Sequence, residues 1–288
     1  MRSNSVDPRG WDARLSSPGS PVCTPDWLAL REPADAAARD PELAVLLAAR
    51  LSRHPGEHDP LVIRDLGCGT GSLGRWLAPQ LPGPQHWLLH DRDTTLLDRA
   101  ADGLPGRAAD GTSITTEPQP GDLTGLDAAQ LTGTSLITAS ALLDLLTADE
   151  VSALAGACVE ARCPALFTLS VAGRVSFSPA DPLDDAIGEA FNAHQRRTVA
   201  GRRLLGPDAI DATSEAFARF GAETVVRPSL WRLAKPGDAA LIAAWLEGWV
   251  GAAAEQDPSL PVGDYLQRRL EADDLSVVVE HGDLFVVL

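Results

Sequence analysis

Four residues near position 65 have the types and the spacing of a cofactor-binding turn. Asp65 is followed at alternate positions by Gly67, Gly69 and Gly71, and the apolar run 61–63 precedes it. Glycine has no Cβ, so alternate glycines let the backbone turn sharply and lie directly against a ligand. A helix predicted just beyond the turn would present unpaired N–H groups to that ligand. The pattern predicts a strand, a turn and a helix that hold a nucleotide-like cofactor.

Two kinds of cofactor compete for this turn. Gly69, Gly71 and Gly74 satisfy G-x-G-x-x-G, the fingerprint of dinucleotide-binding proteins, which is a weak signal when it stands alone. Asp65 favours a different ligand, because a carboxylate at the strand end repels a pyrophosphate and attracts a cation. The string D-x-G-x-G-x-G at 65–71 resembles motif I of class I S-adenosylmethionine-dependent methyltransferases, whose cofactor carries a sulfonium and an ammonium group.

The resemblance implies roles for the residues of the turn. It implies that Asp65 lies by the methionine end of S-adenosylmethionine. It also implies that the glycine turn, with Gly67, Cys68, Gly69 and Gly71, passes under the nucleoside.

A second acid ends the next predicted strand. Asp91 closes the short apolar segment 86–91, 20 residues after the last glycine of the turn. In both Rossmann-type families a carboxylate at this place accepts hydrogen bonds from ribose hydroxyls. Asp91 therefore predicts a ribose-bearing ligand without choosing between the two cofactors, and its neighbour Arg92 is included in the predicted site. Asp93 is more simply the N-cap of a helix over 94–102.

Three further residues of the predicted cofactor site follow the third and fourth strands. By the resemblance, Asp122 accepts a hydrogen bond from the adenine amino group and Leu123 packs on the adenine ring. The alternative for Asp122 is a solvated turn residue, since Gly and Pro surround it. Ser140, which follows a strand predicted over 135–139, completes the set.

Strand and helix patterns alternate along the chain, which indicates a mostly parallel sheet. The resemblance implies an α/β fold with a seven-stranded, mostly parallel, doubly wound sheet, an antiparallel last strand and an N-terminal helical cap. The predicted division is a flexible N-terminus and helical cap at 1–58 and a Rossmann-like methyltransferase core at 59–288. A substrate-binding insertion is expected at about 173–206.

Three local predictions concern the second half of the chain. Residues 165–171 are predicted to form the fifth strand. Asp181 is predicted to cap the next helix, with Pro182 at its first position. Residues 275–288 are predicted to form two β-rich runs about Gly282, the last of which ends the sheet.

The acceptor pocket should open at the carboxyl ends of the strands. The predicted substrate-binding residues are Trp27, Arg31, Phe177 and His194. His194 is the first choice for a general base because imidazole titrates near neutral pH; the alternative is a surface histidine at a helix end. Asp144 is a second candidate, to orient the cofactor or the acceptor. Arg31 would bind a substrate carboxylate bidentately, or else pair with Glu32 or Asp35 on the surface.

Composition narrows the choice of partners. The formal net charge is −16, and no basic stripe with interleaved aromatic residues appears, which disfavours nucleic acid. No apolar run approaches membrane-spanning length and no secretory signal is visible, so the expected location is the cytoplasm, away from the membrane. The four cysteines form no C-x-x-C and predict no metal site. The oligomeric state is left open.

Together these patterns predict a methyltransferase that uses S-adenosyl-L-methionine and a small-molecule acceptor. The methyl group would pass to an oxygen, nitrogen or carbon nucleophile by in-line displacement, for which the enzyme mainly positions and desolvates its reactants. Two alternatives stay open. One is an NAD(P)-dependent Rossmann oxidoreductase, and the other is a non-catalytic binding protein on a methyltransferase scaffold.

Overall fold

Strands and helices alternate along the chain in the computed structural model, which describes residues 23–52, 60–121 and 127–288. The strands are β1 (Leu61–Leu66), β2 (Gln85–Asp91), β3 (Ile114–Pro120), β4 (Leu136–Ser140), β5 (Ala165–Ser178), β6 (Thr198–Val199), β7 (Arg202–Arg203), β8 (Glu223–Ala234) and β9 (Ser276–Val287). The helices are α1 (Pro25–Ala38), α2 (Pro41–Leu51), α3 (Ser72–Leu77), α4 (Thr94–Gly103), α5 (Ala148–Ala161), α6 (Asp184–Gln195), α7 (Ala209–Arg219), α8 (Ala239–Gln256) and α9 (Val262–Glu271).

Seven of the described strands form one sheet in the order β3-β2-β1-β4-β5-β9-β8. The pairs among β1 to β5 are parallel, whereas β9 is antiparallel to both of its neighbours, β5 and β8. Six strands therefore run in one direction and β9 runs in the other. This strand order and this single antiparallel strand confirm the predicted class I methyltransferase fold.

Helices cover both faces of the sheet and bury its apolar side chains. One cluster of buried residues lies beneath α5 and α7, and a second lies beneath α2, α3 and α4. Leu166 and Phe167 are successive residues of β5 and belong to different clusters, because successive side chains of a strand point to opposite faces. A third cluster joins α1, α6, α8 and α9 to β8 and β9.

The two N-terminal helices are tied to the sheet. Asp40 caps α2 by accepting a hydrogen bond from Leu43 N at 3.0 Å. The N–H of Asp40 donates to Asp283 of β9 at 2.8 Å, and Ser229 of β8 donates to Ala38 O at 3.0 Å. The helical cap is therefore fixed at its centre to the two last strands of the sheet.

The prediction of two β-rich runs about Gly282 is wrong. β9 is one strand that pairs with β8 without a register break, from Ser276 opposite Ala234 to Val287 opposite Glu223. Gly282 lies under α7, and a Cβ at this position would make the terminal methyl of Ile210 shift. A glycine inside a strand here marks a close approach of another element, and no turn.

The region predicted as an insertion begins as a continuation of the sheet. β5 runs on past the predicted end at Val171 to Ser178, with register shifts against β9. The predicted cap of the next helix is displaced, because α6 has Leu183 as its N-cap. The carboxylate of Asp181 instead accepts a hydrogen bond from Leu183 N at 3.0 Å, in a turn that precedes the helix.

Among the described residues, α8 is the longest helix, with 18 residues. Neither it nor another helix in that part of the chain combines the length and the hydropathy that crossing a membrane requires.

Candidate functional site

The glycine turn joins β1 to α3 in a left-handed backbone path. Gly67, Gly69 and Gly71 have φ values of +64°, +54° and +83°, which residues with a Cβ rarely adopt. The N–H of Cys68 donates to His90 O at 2.9 Å and so fastens the turn to β2. Gly71 also has a packing role, because a Cβ there would lie 3.1 Å from the Cα of Ala100 on α4.

Asp91 lies beside this turn and is held by backbone groups. Its Oδ2 accepts a hydrogen bond from Gly69 N at 2.9 Å, and its Oδ1 accepts one from Asp93 N at 3.0 Å. Each carboxylate oxygen keeps a second lone pair for a further donor. Asp93 caps α4 as predicted, by accepting hydrogen bonds from Thr95 N and Leu96 N. The next residue after Asp91, Arg92, is half-buried.

Asp65 is the next-to-last residue of β1, just before the turn, and is only 1% exposed. Its Oδ1 accepts a hydrogen bond from the hydroxyl of Thr138 on β4 at 2.8 Å, and its Oδ2 has no hydrogen-bond partner in the described part of the chain. Burial raises the pKa of Asp65 to about 7, although Thr138 and the positive charge of Arg39 act in the opposite direction. A buried carboxylate oxygen without a partner is costly, so it is a position where a cationic ligand would be stabilising.

Ser140 and Arg39 connect the cap to the end of β4. The guanidinium of Arg39 donates to Ser140 Oγ at 3.2 Å and to Ser72 Oγ at 3.0 Å. The hydroxyl of Thr168 also donates to Ser140 Oγ, at 3.1 Å. Because Ser140 accepts both of these bonds, its own O–H proton stays available for a ligand.

Helix α1 lies across the glycine turn. A Cβ on Gly69 would be 3.3 Å from the Cδ1 of Leu28, so α1 approaches this backbone closely. Glu32 forms two hydrogen bonds of 2.6 Å with the guanidinium of Arg75 on α3. The predicted cap thus stands over the turn in the described structure. Asp122 and Leu123, the predicted adenine contacts, lie outside the described residues.

A cavity of about 210 Å³ opens beside the carboxyl end of β4 and the middle of β5, where Leu169 and Val171 line it. Its aromatic lining residues are Trp27, Phe191, Trp231, Trp245 and Trp249. Its polar lining residues are Cys23, Arg31, Asp144, His194, Gln195, Arg197 and His281. The cavity therefore collects three of the four predicted substrate residues, together with Asp144.

Cys23 lines the cavity, and charged groups of the cavity and of the neighbourhood of the glycine turn act on its thiol. Burial raises the pKa of its thiol, the charges of Arg31 and Arg92 lower it, and the carboxylates of Asp91 and Asp144 raise it. Helix α1 also contacts the turn through Leu28 and lines the cavity through Trp27 and Arg31, so the two regions adjoin.

Asp144 is the buried acid of the cavity. It lies in a short 3₁₀ turn after β4, is 7% exposed, and its Oδ1 has no hydrogen-bond partner among the residues described. Burial raises the pKa of Asp144 to about 6, against the lowering effect of Arg31 and Arg197. A carboxyl group with this pKa can hold or release a proton near neutral pH.

His194 lines the same cavity, but its ring nitrogens have contacts within the chain. Nε2 is 3.1 Å from the carboxylate of Glu255, and Nδ1 is 3.4 Å from Nη1 of Arg197. These contacts place the imidazole at a wall shared by α6 and α8, where the alternative of a structural histidine stays open.

Arg31 is paired inside the protein. It donates to both carboxylate oxygens of Asp35, at 2.9 and 3.1 Å, and its guanidinium lies over the rings of Trp27 and Trp231. Asp35 accepts a further hydrogen bond from Trp231 Nε1 at 3.0 Å. The surface pairing considered from the sequence is therefore a buried one, and Asp35 already occupies the bidentate position that a substrate carboxylate would need.

Phe177 does not line the cavity, and supports its wall instead. Its ring centroid lies 6.1 Å from that of Trp245 and 5.6 Å from that of Trp249, and Arg269 covers it at 4.6 Å. The extension of β5 carries Phe177 behind α8.

Several cavity residues did not figure in the sequence prediction. Trp245 and Trp249 are four apart on α8 and stack at 5.3 Å with an angle of 20°; two tryptophans at this spacing on an alanine-rich helix were the available signal. His281 of β9 lies 5.4 Å from the ring of Trp231. Burial and the charge of Arg31 lower the pKa of His281 to about 4, so its imidazole is neutral at pH 7. No local sequence pattern predicts that His281 lines the cavity.

The backbone is strained at two positions of the cavity wall. Ala141 after β4 and Leu169 in β5 have φ values of +52° and +57°, which are rare for residues with a Cβ. Hydrogen bonds hold both, from Ala141 N to Thr168 O at 2.9 Å and from Leu169 N to the carboxylate of Asp283 at 2.8 Å. Such strain gathers at functional sites because the surrounding structure maintains it there.

In the residues that the structure describes, there is no group of three or more His, Cys, Asp or Glu side chains arranged to hold a metal ion.

No family model and no curated protein matches the chain, whereas solved structures do. A cyclopropane-fatty-acyl-phospholipid synthase-like protein from Lactobacillus casei is 14% identical over 95% of this chain and 96% of its own, with a TM-score of 0.49. Magnesium protoporphyrin IX methyltransferase from Synechocystis, solved with bound SAH, is 11% identical over 91% and 92%, with a TM-score of 0.44. A SAM-dependent methyltransferase from Thiobacillus denitrificans, in complex with S-adenosyl-L-homocysteine, is 15% identical over 92% and 98%, with a TM-score of 0.43.

These similarities are too weak to assign an activity to this chain. The assignment of the class I methyltransferase fold rests on the strand order and on the antiparallel β9.

Proposed function

We propose that the chain is an S-adenosylmethionine-dependent methyltransferase that acts on a small molecule. The observation that carries the proposal is Asp65, a buried carboxylate with an unpartnered oxygen among the described residues, directly beneath a left-handed glycine turn. A ligand that combines a nucleoside with a positive charge matches this combination, since the turn admits the nucleoside and Asp65 favours the charge.

The residues of the turn fit such a cofactor in distinct ways. Asp91 offers two oxygens, already oriented by Gly69 N and Asp93 N, to ribose hydroxyls. Ser140 offers an O–H, and Asp65 faces the ammonium end. Residues 122 and 123 would contact the adenine, as the resemblance implies. When bound, the cofactor supplies a methyl carbon that its sulfonium activates for displacement.

The chain's own contribution is to exclude water, place the acceptor and take up its proton. The cap helix α1 covers the turn through Leu28 and Glu32. We assign the proton to Asp144, because its Oδ1 has no partner within the described structure and its pKa of about 6 suits transfer near neutrality. His194 stands second for this role, since Glu255 already engages it.

The dinucleotide alternative has less support. Gly74, which completes G-x-G-x-x-G, lies against Leu104, so the packing of α3 accounts for it. A buried acid at the end of β1 would repel a pyrophosphate. We also propose a reducing compartment such as the cytoplasm, which suits the buried free thiols of Cys68, Cys158 and Cys163.

Calorimetric titration with S-adenosylmethionine, S-adenosylhomocysteine, NADH and NADPH tests the cofactor. We expect the two sulfur nucleosides to bind and the nicotinamides not to bind. Asp91→Asn should weaken that binding by about 1–3 kcal/mol, since the ribose loses a charged acceptor. Asp98→Asn, an exposed change on α4, is the matched control. Binding of nicotinamide cofactors alone would overturn the proposal, and binding without turnover of any acceptor would favour a non-catalytic binding protein.

A further inference from the structure

The aromatic cavity beside the glycine turn shows which kind of acceptor it would hold. Trp245 and Trp249 of the lining stack nearly parallel, and Trp27 and Trp231, which also line the cavity, have Arg31 over their rings. Flat aromatic walls favour flat aromatic ligands, because offset stacking adds to the burial of apolar surface. The volume of about 210 Å³ suits a small molecule.

Three side chains of the largely apolar lining carry a buried polar atom that has no hydrogen-bond partner in the described structure. Asp144 Oδ1 and Trp249 Nε1 belong to side chains that are 7% and 3% exposed, and neither atom has a hydrogen-bond partner in the described ranges. His281 Nδ1 is a third such atom, in a side chain 7% exposed. Buried polar atoms are almost always paired in folded proteins, so three of them around one cavity indicate a ligand that pairs with them.

The other charged groups of the cavity have protein partners. Asp35 holds Arg31 in two hydrogen bonds, and Glu255 contacts His194. Arg197 donates to His194 O at 3.1 Å. Asp144 Oδ1 is an acidic lining atom with an open hydrogen-bonding position in the described structure, and it favours a ligand that donates a hydrogen bond.

Resting on the proposed function, we propose that the acceptor is a planar aromatic molecule that donates an O–H or N–H hydrogen bond to Asp144 and accepts one from Trp249 Nε1. The aromatic walls fix the plane of the ring, and the two polar atoms fix which edge of the molecule faces each wall. The donor at Asp144 is the group whose proton the carboxylate can take up.

Binding of defined probes to the purified protein in the presence of S-adenosylhomocysteine tests this inference. The first probe is 4-aminoquinazoline, which is planar and carries N–H donors beside a ring-nitrogen acceptor. Quinazoline lacks the amino donor, and cyclohexanecarboxamide keeps N–H donors beside an acceptor and is uncharged at pH 7, but has no aromatic ring. We expect quenching of tryptophan fluorescence and calorimetry to show 4-aminoquinazoline binding at least about tenfold more tightly than either of the other two.

Two variants identify the atoms involved. Asp144→Ala should remove the preference for 4-aminoquinazoline over quinazoline. Trp249→Phe keeps an aromatic ring without the N–H, and should weaken the binding of both quinazolines about tenfold while leaving the binding of naphthalene unchanged. Asp149→Ala, exposed on α5, and Trp76→Phe, outside the cavity, are the controls. Circular dichroism shows whether Asp144→Ala folds. If it does not fold, the probe series on the unaltered protein and on Trp249→Phe still tests whether the cavity prefers a planar aromatic ligand.

The outcomes separate this inference from the proposed function. Equal or tighter binding of cyclohexanecarboxamide, or no binding of any aromatic probe up to its solubility limit, would overturn the inference. An unchanged preference in Asp144→Ala would overturn it as well. Binding of S-adenosylhomocysteine in the same titrations would leave the proposed function intact in each of these cases. The expected probe series without binding of S-adenosylhomocysteine would contradict the function and leave the cavity assignment standing.

Discussion

Three carboxylates belong to the candidate site, and they differ in which of their oxygens remain open to accept a hydrogen bond from a ligand. Asp91 accepts two backbone hydrogen bonds, which orient it while its outer lone pairs stay open. Asp65 accepts one hydroxyl hydrogen bond and keeps one oxygen unpaired in the described structure. Asp144 faces an apolar cavity with an open Oδ1. Burying such groups lowers stability, so the two unpaired oxygens are best understood as positions that a bound ligand completes.

The cost of burying Asp144 predicts a pH-dependent stability. Its pKa is about 6 in the folded protein against an ordinary 3.8, so the folded state binds more protons than the unfolded state between these values. The free energy of unfolding therefore falls as the pH rises through this range. Asn at position 144 does not titrate, so Asp144→Asn should not show this fall. Its free energy of unfolding should exceed that of the unaltered protein by an amount that grows with pH, by up to about 3 kcal/mol between about pH 4 and about pH 7.

Urea denaturation of both proteins at several pH values measures this difference. Asp65 contributes in the same direction, since its pKa is also raised, so some pH dependence should persist in the Asp144→Asn variant. Asp149→Asn, at an exposed position, should follow the unaltered protein throughout. A constant difference between Asp144→Asn and the unaltered protein across this range would show that Asp144 does not titrate with a raised pKa.

At the scale of elements, the predictions that succeeded rest on local chemistry. The glycine turn and the cap of α4 at Asp93 are each determined by residues a few positions apart. The errors at Gly282 and Asp181 have different causes. Gly282 predicted a turn from sequence, but β9 continues through it where Ile210 of α7 packs closely, a contact between residues far apart in the chain. The cap at Asp181 failed because its carboxylate closes a turn before the helix begins.

The packing of α3 on α4 makes Gly71 a sensitive position. Gly71→Ala combines a positive φ with a Cβ 3.1 Å from the backbone of Ala100. Left-handed backbone costs alanine about 1–2 kcal/mol, and overpacking costs about 1–3 kcal/mol. We expect a loss of about 2–5 kcal/mol in the free energy of unfolding, measured by urea denaturation.

Gly263→Ala in α9 is the matched control for Gly71→Ala. A Cβ there meets nothing within 4 Å, and its helical position should make the change neutral or stabilising by up to about 1 kcal/mol. Equal effects of the two substitutions would contradict the packing role of Gly71.

At the scale of the whole molecule, the cavity lies beyond the reach of local sequence reasoning. The hydrogen bond from Trp231 to Asp35 joins positions 196 residues apart, and the cavity takes Trp27 from α1 and Trp249 from α8. In the sequence, nothing indicates that the separate tryptophans and His281 line one cavity. They come together because β8 and β9 lie beside α1 in the fold. The strand order, which the resemblance of the motif implied, brings these residues together.

The net charge of the whole chain predicts how salt affects its stability. With a formal charge of −16, the folded protein concentrates repelling carboxylates that the unfolded chain spreads apart. Raising the salt concentration from about 0.01 M to about 0.1 M shortens the Debye length from about 30 Å to about 10 Å, which screens repulsion across the molecule more than contacts such as the 2.6 Å pair of Arg75 with Glu32. We expect the Tm at pH 7, measured by calorimetry, to rise by a few degrees over this range. The rise should vanish near the isoelectric point of about 4.7, where the net charge is close to zero. A Tm that falls with salt at pH 7 would mean that attractive ion pairs outweigh the repulsion.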